Sequence, residues 1–317
     1  MAILVAADFT PEEWAAWWPE LQASLPGERL VRERSSVLDV PDVPDESIEV
    51  ALVANPPADA LLGLPGLRLV QSLWAGVDGL LADASLPVNV PLARMVDPSM
   101  NEAMAQTALW AVLALHRGFF RYAGQQQRVE WCPHPQRRAD EVNVAVLGLG
   151  QMGRASAQRL AANGYRVTGW SSHAKALAGI STHAGPAALA PVLAAAQIVV
   201  NLLPLTPATC GLLNRQTLAA MPRGAGLVNL ARGAQVVEAD LLEALASGHL
   251  GHAVLDVFHT EPLPADHPFW RHPKVSVLPH IAAQTDPRSA ARTAAANVRA
   301  LRAGRPLENL VDRARGY

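Results

Sequence analysis

The sequence predicts an α/β protein of two doubly wound parallel-sheet domains, one inserted into the other. Three observations carry this. Short apolar runs alternate with helical patterns along the chain, the signature of parallel strands joined by crossover helices. The run at 143–147 leads directly into a glycine-rich turn and a helix from about 151 to 162. Six candidate strands fall from residue 143 onward, the number that one full sheet of this kind uses, so the last helix, about 286–303, is left to close the first domain. A length of 317 residues suits about two domains.

Taken in order, 3–5 reads as a strand and 11–21 as a helix with Thr10 as its N-cap. Further strands are expected at 49–53, 67–71 and 92–95. SMNEAMAQTALWAVLALHRGFFRYAGQQQ then reads as one long helical stretch, opened by a capping box of Ser99 and Glu102. Its apolar residues, Trp110, Val112, Phe119 and Phe120 among them, cover more than one face, so it is expected to be buried between domains or between subunits. A polar, proline-containing stretch at 132–141 follows. The six later strands are expected at 143–147, 166–169, 198–201, 226–230, 253–257 and 275–278. The expected layout is residues 1–98 plus 286–317 as one domain and 99–285 as the other, with hinges near 97–101 and 283–288.

Bulk properties exclude several classes. A net charge of −2 with interspersed signs leaves no basic face for nucleic acid. No apolar run is long enough for a transmembrane helix. MAILVAADFT has no basic stretch and meets an acid at Asp8, which argues against a signal peptide. Cys132 and Cys210 suggest neither a disulfide framework nor a metal site, and a cytoplasmic location with reduced thiols is expected. No compact cluster has metal-ligand spacing, and the hydrolase elbow G-x-S-x-G is absent.

GLGQMG supplies Gly148, Gly150 and Gly153 after a strand and at a helix start. The first makes the tight turn, the second lets a pyrophosphate approach the backbone, and the third lets the helix pack on the strand. The phosphates are expected on the N–H groups at the positive helix end, around Gly150, Gln151 and Met152. This domain is therefore expected to be a Rossmann NAD(P)-binding domain. The second strand ends in Trp170, Ser171, Ser172 and His173, with Lys175 nearby and no acid for a ribose 2′-hydroxyl. Hydroxyls and a cation suit a 2′-phosphate, so NADPH is expected, with NADH as the alternative if this is a plain loop. Pro204 stiffens a loop expected against the cofactor, and Leu230 and Ala231 lie at the same edge. Asp256, at the end of the fifth strand, can hold the nicotinamide amide.

Arg232, Glu261 and His280 follow the last three strands. In an open α/β sheet the ligand crevice lies outside the carboxyl ends of the strands, so the three are expected at one edge. Their chemistry suits reduction of a 2-keto acid. His280 can protonate the emerging alkoxide, and Glu261 can orient it and favour its charged form. Arg232 can clamp a carboxylate and a keto oxygen. SLWAGVDGLL adds Ala75 and Gly76, whose amides at an expected helix start suit a carboxylate. Trp74 is either a pocket wall or a core aromatic, and Arg94 either adds charge or faces solvent.

Through WAGVD, VLGLGQMG, LPLTPAT, VNLARGAQVVEADLLEAL, LDVFHTEPLPADHPFW and LPHIAA, the sequence resembles the D-isomer-specific 2-hydroxyacid dehydrogenases, and within them the branch that reduces glyoxylate and hydroxypyruvate. The resemblance implies a flavodoxin-like substrate domain carrying the inserted Rossmann domain. It also implies Arg232, Glu261 and His280 as catalytic residues, Ala75 and Gly76 as carboxylate donors, NADPH as cofactor and a homodimer. Ser172 and His173 depart from it, since related reductases often carry Arg there. Rival readings are a D-lactate or phosphoglycerate type of dehydrogenase, or a catalytically silent dinucleotide-sensing protein of the same fold.

Overall fold

The computed structural model describes residues 2–32 and 47–317. The chain divides into two compact units, Met1–Ser99 with Thr285–Tyr317, and Met100–Gln284.

The first unit is built on strands β1 (Ala2–Ala7), β2 (Arg29–Arg32), β3 (Ile48–Ala54), β4 (Leu69–Ser72) and β5 (Leu92–Ala93). All pair in parallel, in the order β2-β1-β3-β4-β5. This is the flavodoxin-like winding, which reverses at β1/β3. Every residue of β1 is buried, as a central strand covered on both faces requires. Helix α1 (Pro11–Ser24) starts where Thr10 accepts the Glu13 N–H at 3.2 Å and the Glu13 carboxylate accepts the Thr10 N–H at 2.8 Å. The C-terminal helix, Pro287–Arg302, returns to this unit. It is pinned there by Arg302, which makes a two-pronged pair with Glu28 at 3.0 Å and also meets Glu49. The sequence reading lacks β2. Only Val31 of its four residues is buried, because an edge strand pairs on one side and needs no apolar run.

Helix α3 (Pro98–His116) starts at the end of the first unit's span and leads into the second, where α4 (Phe119–Gln127) follows. The expected single helix is thus broken. Gly118, at φ +71°, ends α3 with the left-handed turn that glycine adopts at least cost. The expected Ser99–Glu102 capping box is also replaced. Pro98 takes the first helical position, the Ser99 N–H donates to Asp97 at 2.9 Å, and Glu102 pairs instead with Gln106 and Arg159.

Seven parallel strands follow: β6 (Asn143–Leu147), β7 (Arg166–Ser171), β8 (Ser181–Ala184), β9 (Ile198–Asn201), β10 (Ala225–Asn229), β11 (Leu250–Leu255) and β12 (Val275–Val277). Helices α5 (Gln151–Ala162), α6 (Leu189–Ala195), α7 (Arg215–Ala219) and α8 (Glu238–Ala246) are threaded between them. The order is β12-β11-β10-β9-β6-β7-β8, a dinucleotide-binding sheet that reverses at β6/β9. Successive residues alternate between two cores. Val144, Val146, Val200 and Val254 pack with α3 and α5 on one face. Ala145, Leu147, Val199 and Leu255 pack with α6 and α8 on the other. The expected six strands become seven because β8 is another edge strand, with no buried residue.

Candidate active site

The glycine turn between β6 and α5 is explained by contacts at two of its three glycines. Gly148, at φ +95°, lies so near the next crossover that a Cβ there would sit 2.5 Å from the Leu202 carbonyl oxygen. A Cβ on Gly153 would sit 1.8 Å from the Gly148 carbonyl oxygen. Gly150 is different: a Cβ there would meet nothing within 4 Å. Protein packing does not demand glycine at this position, so the open space is what the residue preserves. Gly150 is also the N-cap of α5 and has no side chain to cap it, so the first N–H groups of that helix receive no side-chain cap. Open space beside uncapped helical donors fits a dinucleotide pyrophosphate.

At the end of β7, the residues expected at the adenosine ribose divide. Trp170 is 5% exposed, packs in the core with Leu147 and Leu189, and donates its indole N–H to the Gly185 carbonyl at 3.0 Å. Its side chain is therefore a core element, and only its backbone, which accepts the Gly148 N–H at 2.8 Å, belongs to the turn. Ser171 donates its hydroxyl to the His173 carbonyl at 2.6 Å. Ser172 is exposed and lies 2.9 Å from His173 Nδ1. Lys175 reaches back to the Leu149 carbonyl at 3.0 Å, which places an ammonium group against the glycine turn.

β10, β11 and β12 are neighbours, and their carboxyl ends carry Arg232, Glu261 and His280. His280 Nδ1 lies 2.7 Å from Glu261 Oε2, and the other carboxylate oxygen accepts the Phe258 N–H at 2.8 Å. A carboxylate only accepts, so Nδ1 carries the hydrogen and Nε2 is the ring nitrogen left with its lone pair. The His280 side chain is 52% exposed and Glu261 35%. His280 stands at φ +53°, a conformation that costs a non-glycine residue energy unless its surroundings impose it. They do. Its N–H donates to the Asp256 carbonyl at 2.9 Å, and the Asp256 carboxylate accepts the next two N–H groups, of Ile281 at 2.7 Å and Ala282 at 3.0 Å. Asp256, expected at the nicotinamide amide, is 1% exposed and spends its carboxylate on this turn. Burial pushes its carboxyl up, against the two backbone N–H bonds and the nearby His280, while Glu261 adds to the rise.

Arg232 is delivered by a separate close approach. A Cβ on the following Gly233 would sit 1.8 Å from the carbonyl carbon of Phe258, the residue whose N–H holds Glu261. The Arg232 turn therefore packs onto the loop that positions the acid. The guanidinium donates to the Ala231 carbonyl at 2.7 Å. Leu230 and Ala231 are buried, and Pro204 is partly buried, with its carbonyl accepting from Thr209 and Gln235. Asn201, Asn229 and Gln235, buried beneath these loops, were not anticipated. Buried amides carry no spacing signal until the fold supplies their partners.

Trp74, Ala75 and Gly76 follow β4 in the first unit. Helix α2 (Asp78–Ala82) begins two residues after Gly76, so these amides belong to a bend and not to the expected first helical turn. Trp74 is partly buried, edge-on to Phe9 at 5.9 Å and to Trp17 at 5.8 Å. The Arg94 N–H donates to the Asn309 carbonyl, and burial lowers the guanidinium pKa. Among the described residues no cluster of His, Cys, Asp and Glu could hold a metal ion, and no helix is long and apolar enough to cross a membrane.

The family model for the D-isomer specific 2-hydroxyacid dehydrogenase NAD binding domain matches residues 109–282. The chain belongs to the D-isomer-specific 2-hydroxyacid dehydrogenases. Within this family, it is 44% identical over 278 residues to a glyoxylate/hydroxypyruvate reductase A of Serratia proteamaculans, covering 86% of this chain and 89% of that one. It is 39% identical over 306 residues to the protein of the same name from Klebsiella pneumoniae, covering 95% and 96%. A family structure from Xanthobacter autotrophicus Py2, in complex with NADPH and MES, superposes with a TM-score of 0.94 at 42% identity, covering 100% of this chain and 99% of that one. An NADPH-dependent glyoxylate/hydroxypyruvate reductase of Sinorhizobium meliloti, with NADP and sulfate, gives 0.92 at 34% identity over 100% and 99%.

Proposed function

We propose that this protein reduces small 2-keto acids with NADPH, glyoxylate to glycolate and hydroxypyruvate to D-glycerate. The observation that carries the reading is the 2.7 Å Glu261–His280 pair, presented by adjacent strands in the sheet that also carries an open glycine turn. Relatives at 44% and 39% identity carry the names of such reductases, and related structures hold NADPH or NADP.

The amides at Gly150, Gln151 and Met152 would hold the pyrophosphate, and Ser172 and Lys175 would hold the 2′-phosphate. When bound, NADPH would supply the hydride that adds to the keto carbon and leaves the alkoxide. Arg232 clamps the carboxylate and keto oxygen with its planar donor fork and stabilises charge growing on that oxygen. His280 gives the alkoxide a proton from Nε2, while Glu261 holds the imidazole through Nδ1. The Ala75 and Gly76 amides are proposed carboxylate donors and Trp74 a limit on substrate size. The protein is read as cytoplasmic and as a homodimer. The dimer reading is supported by exposed apolar side chains on and just after α3 and α4: Trp131 is 97% exposed, Val129 94%, Phe119 57% and Trp110 44%.

Steady-state rates with NADPH and NADH across glyoxylate, hydroxypyruvate and pyruvate test the reading. NADPH with glyoxylate or hydroxypyruvate is expected to give the highest kcat/KM. Tight NADPH binding without turnover of any of the three acids would overturn it.

A further inference from the structure

Asn201 ends β9, Asn229 ends β10 and Gln235 closes the 3₁₀ turn after Arg232. All three are buried to within 1% of completely. Asn201 Nδ2 donates to Asn229 Oδ1 at 3.0 Å and to Gln235 Oε1 at 2.7 Å. Gln235 Nε2 donates to the carbonyls of Leu203 at 3.1 Å and Pro204 at 2.9 Å. Asn229 Nδ2 donates to the Arg232 carbonyl at 3.1 Å, and the Gln235 N–H donates to that same oxygen at 3.3 Å.

The network therefore ends on backbone at both sides. One end is the 203–204 segment, whose neighbour Leu202 stands against the glycine turn. The other end is Arg232 itself. A buried polar network with every amide engaged is rigid, and removing one member leaves several groups unpaired. No member is ionisable, so the brace holds at any pH at which the fold survives.

We propose that Gln235, with Asn201 and Asn229, acts as a positioning brace that couples dinucleotide occupancy at 202–204 to the placement of Arg232. This rests on the reading of Arg232 as the carboxylate clamp. The brace makes the keto-acid site tighter when the cofactor is bound, without Gln235 touching either ligand.

The test is the affinity of the unreactive dicarboxylate oxalate, measured by calorimetry with and without saturating NADPH, on the full chain. The wild type is expected to bind oxalate more tightly with NADPH, by at least about fivefold, an ordinary size for coupling between sites. In Gln235→Met the ratio should fall to within about twofold of unity, while affinity for NADPH alone and cooperative melting are kept. Asn229→Asp keeps the acceptor for Asn201 and loses the donor to Arg232, so it should uncouple the sites too, and it decides the matter if Gln235→Met fails to fold. Wild-type coupling in the folded variants, or none in the wild type, would overturn the brace. Arg232→Ala separates the two readings. Lost oxalate binding there, beside unchanged coupling in Gln235→Met, sinks the brace alone; unchanged oxalate binding in Arg232→Ala sinks the clamp and the brace together.

Discussion

His280 is held in a left-handed conformation by three hydrogen bonds to a single residue, Asp256, and its ring is held by a fourth, to Glu261. Its backbone and side chain are thus fixed independently, as the role proposed for it as proton donor requires. Replacing His280 by Ala should lower kcat for keto-acid reduction by roughly 10²–10⁴-fold, the range for lost acid–base catalysis, with NADPH affinity little changed. Glu261→Gln retains a hydrogen-bonding partner for the ring, so a smaller loss is expected. Turnover within about twofold of wild type in His280→Ala would remove this residue from the mechanism. These residues were legible in the sequence because polar side chains just after apolar strands stand out. The role of Asp256 was not, since its partners at 281 and 282 are chosen by the turn and not by composition.

Among the elements, the decisive contact is that of the β10 turn with the β11 loop. Gly233 leaves no room for a Cβ against Phe258, and the obstructing atoms are backbone, which cannot rotate away. Gly233→Ala should therefore cost about 3 kcal/mol in denaturant unfolding and lower kcat/KM by displacing Arg232; wild-type stability would contradict the close approach. A second element, α4, docks on the sheet through Phe120, whose ring stacks on His252 at 4.3 Å and 3°. His252 also meets the Ser276 hydroxyl at 3.0 Å. Burial, with smaller contributions from His272 and Lys274, lowers its pKa from 6.5 to about 4. Between those values the unfolded chain holds a proton that the folded chain does not, so stability falls as pH drops from 6.5 towards 4. The contribution is on the order of 2 kcal/mol, reduced by the ring's partial exposure. Urea midpoints at pH 7 and pH 4.5 should differ less in His252→Gln than in wild type, and equal differences would refute the assignment.

For the whole molecule, the exposed aromatics of the α3–α4 region set the expectation. Trp131 and Val129 are almost fully exposed and Phe119 and Trp110 largely so, which leaves apolar side chains that a partner subunit would cover. The wild type should sediment as a dimer at micromolar concentration, and the double variant Val129→Asp, Trp131→Asp as a monomer with normal folding. A monomeric wild type across that range would end the homodimer reading. Because the two sheets have separate cores, substitutions in one are expected to leave the core of the other intact.

The sequence by itself determined the α/β alternation, the central strands, the glycine turn and the strand-end positions of Arg232, Glu261 and His280. Each is a local pattern of a few residues, so propensity and spacing suffice to write it. Tertiary structure alone decided the edge strands β2 and β8, the break at Gly118, the burial of Trp170 and the brace of Asn201, Asn229 and Gln235. An edge strand is specified by its single neighbour, and a buried amide is stable only once distant backbone satisfies it. Such information lies in contacts between residues dozens of positions apart, and exists only after the chain has folded.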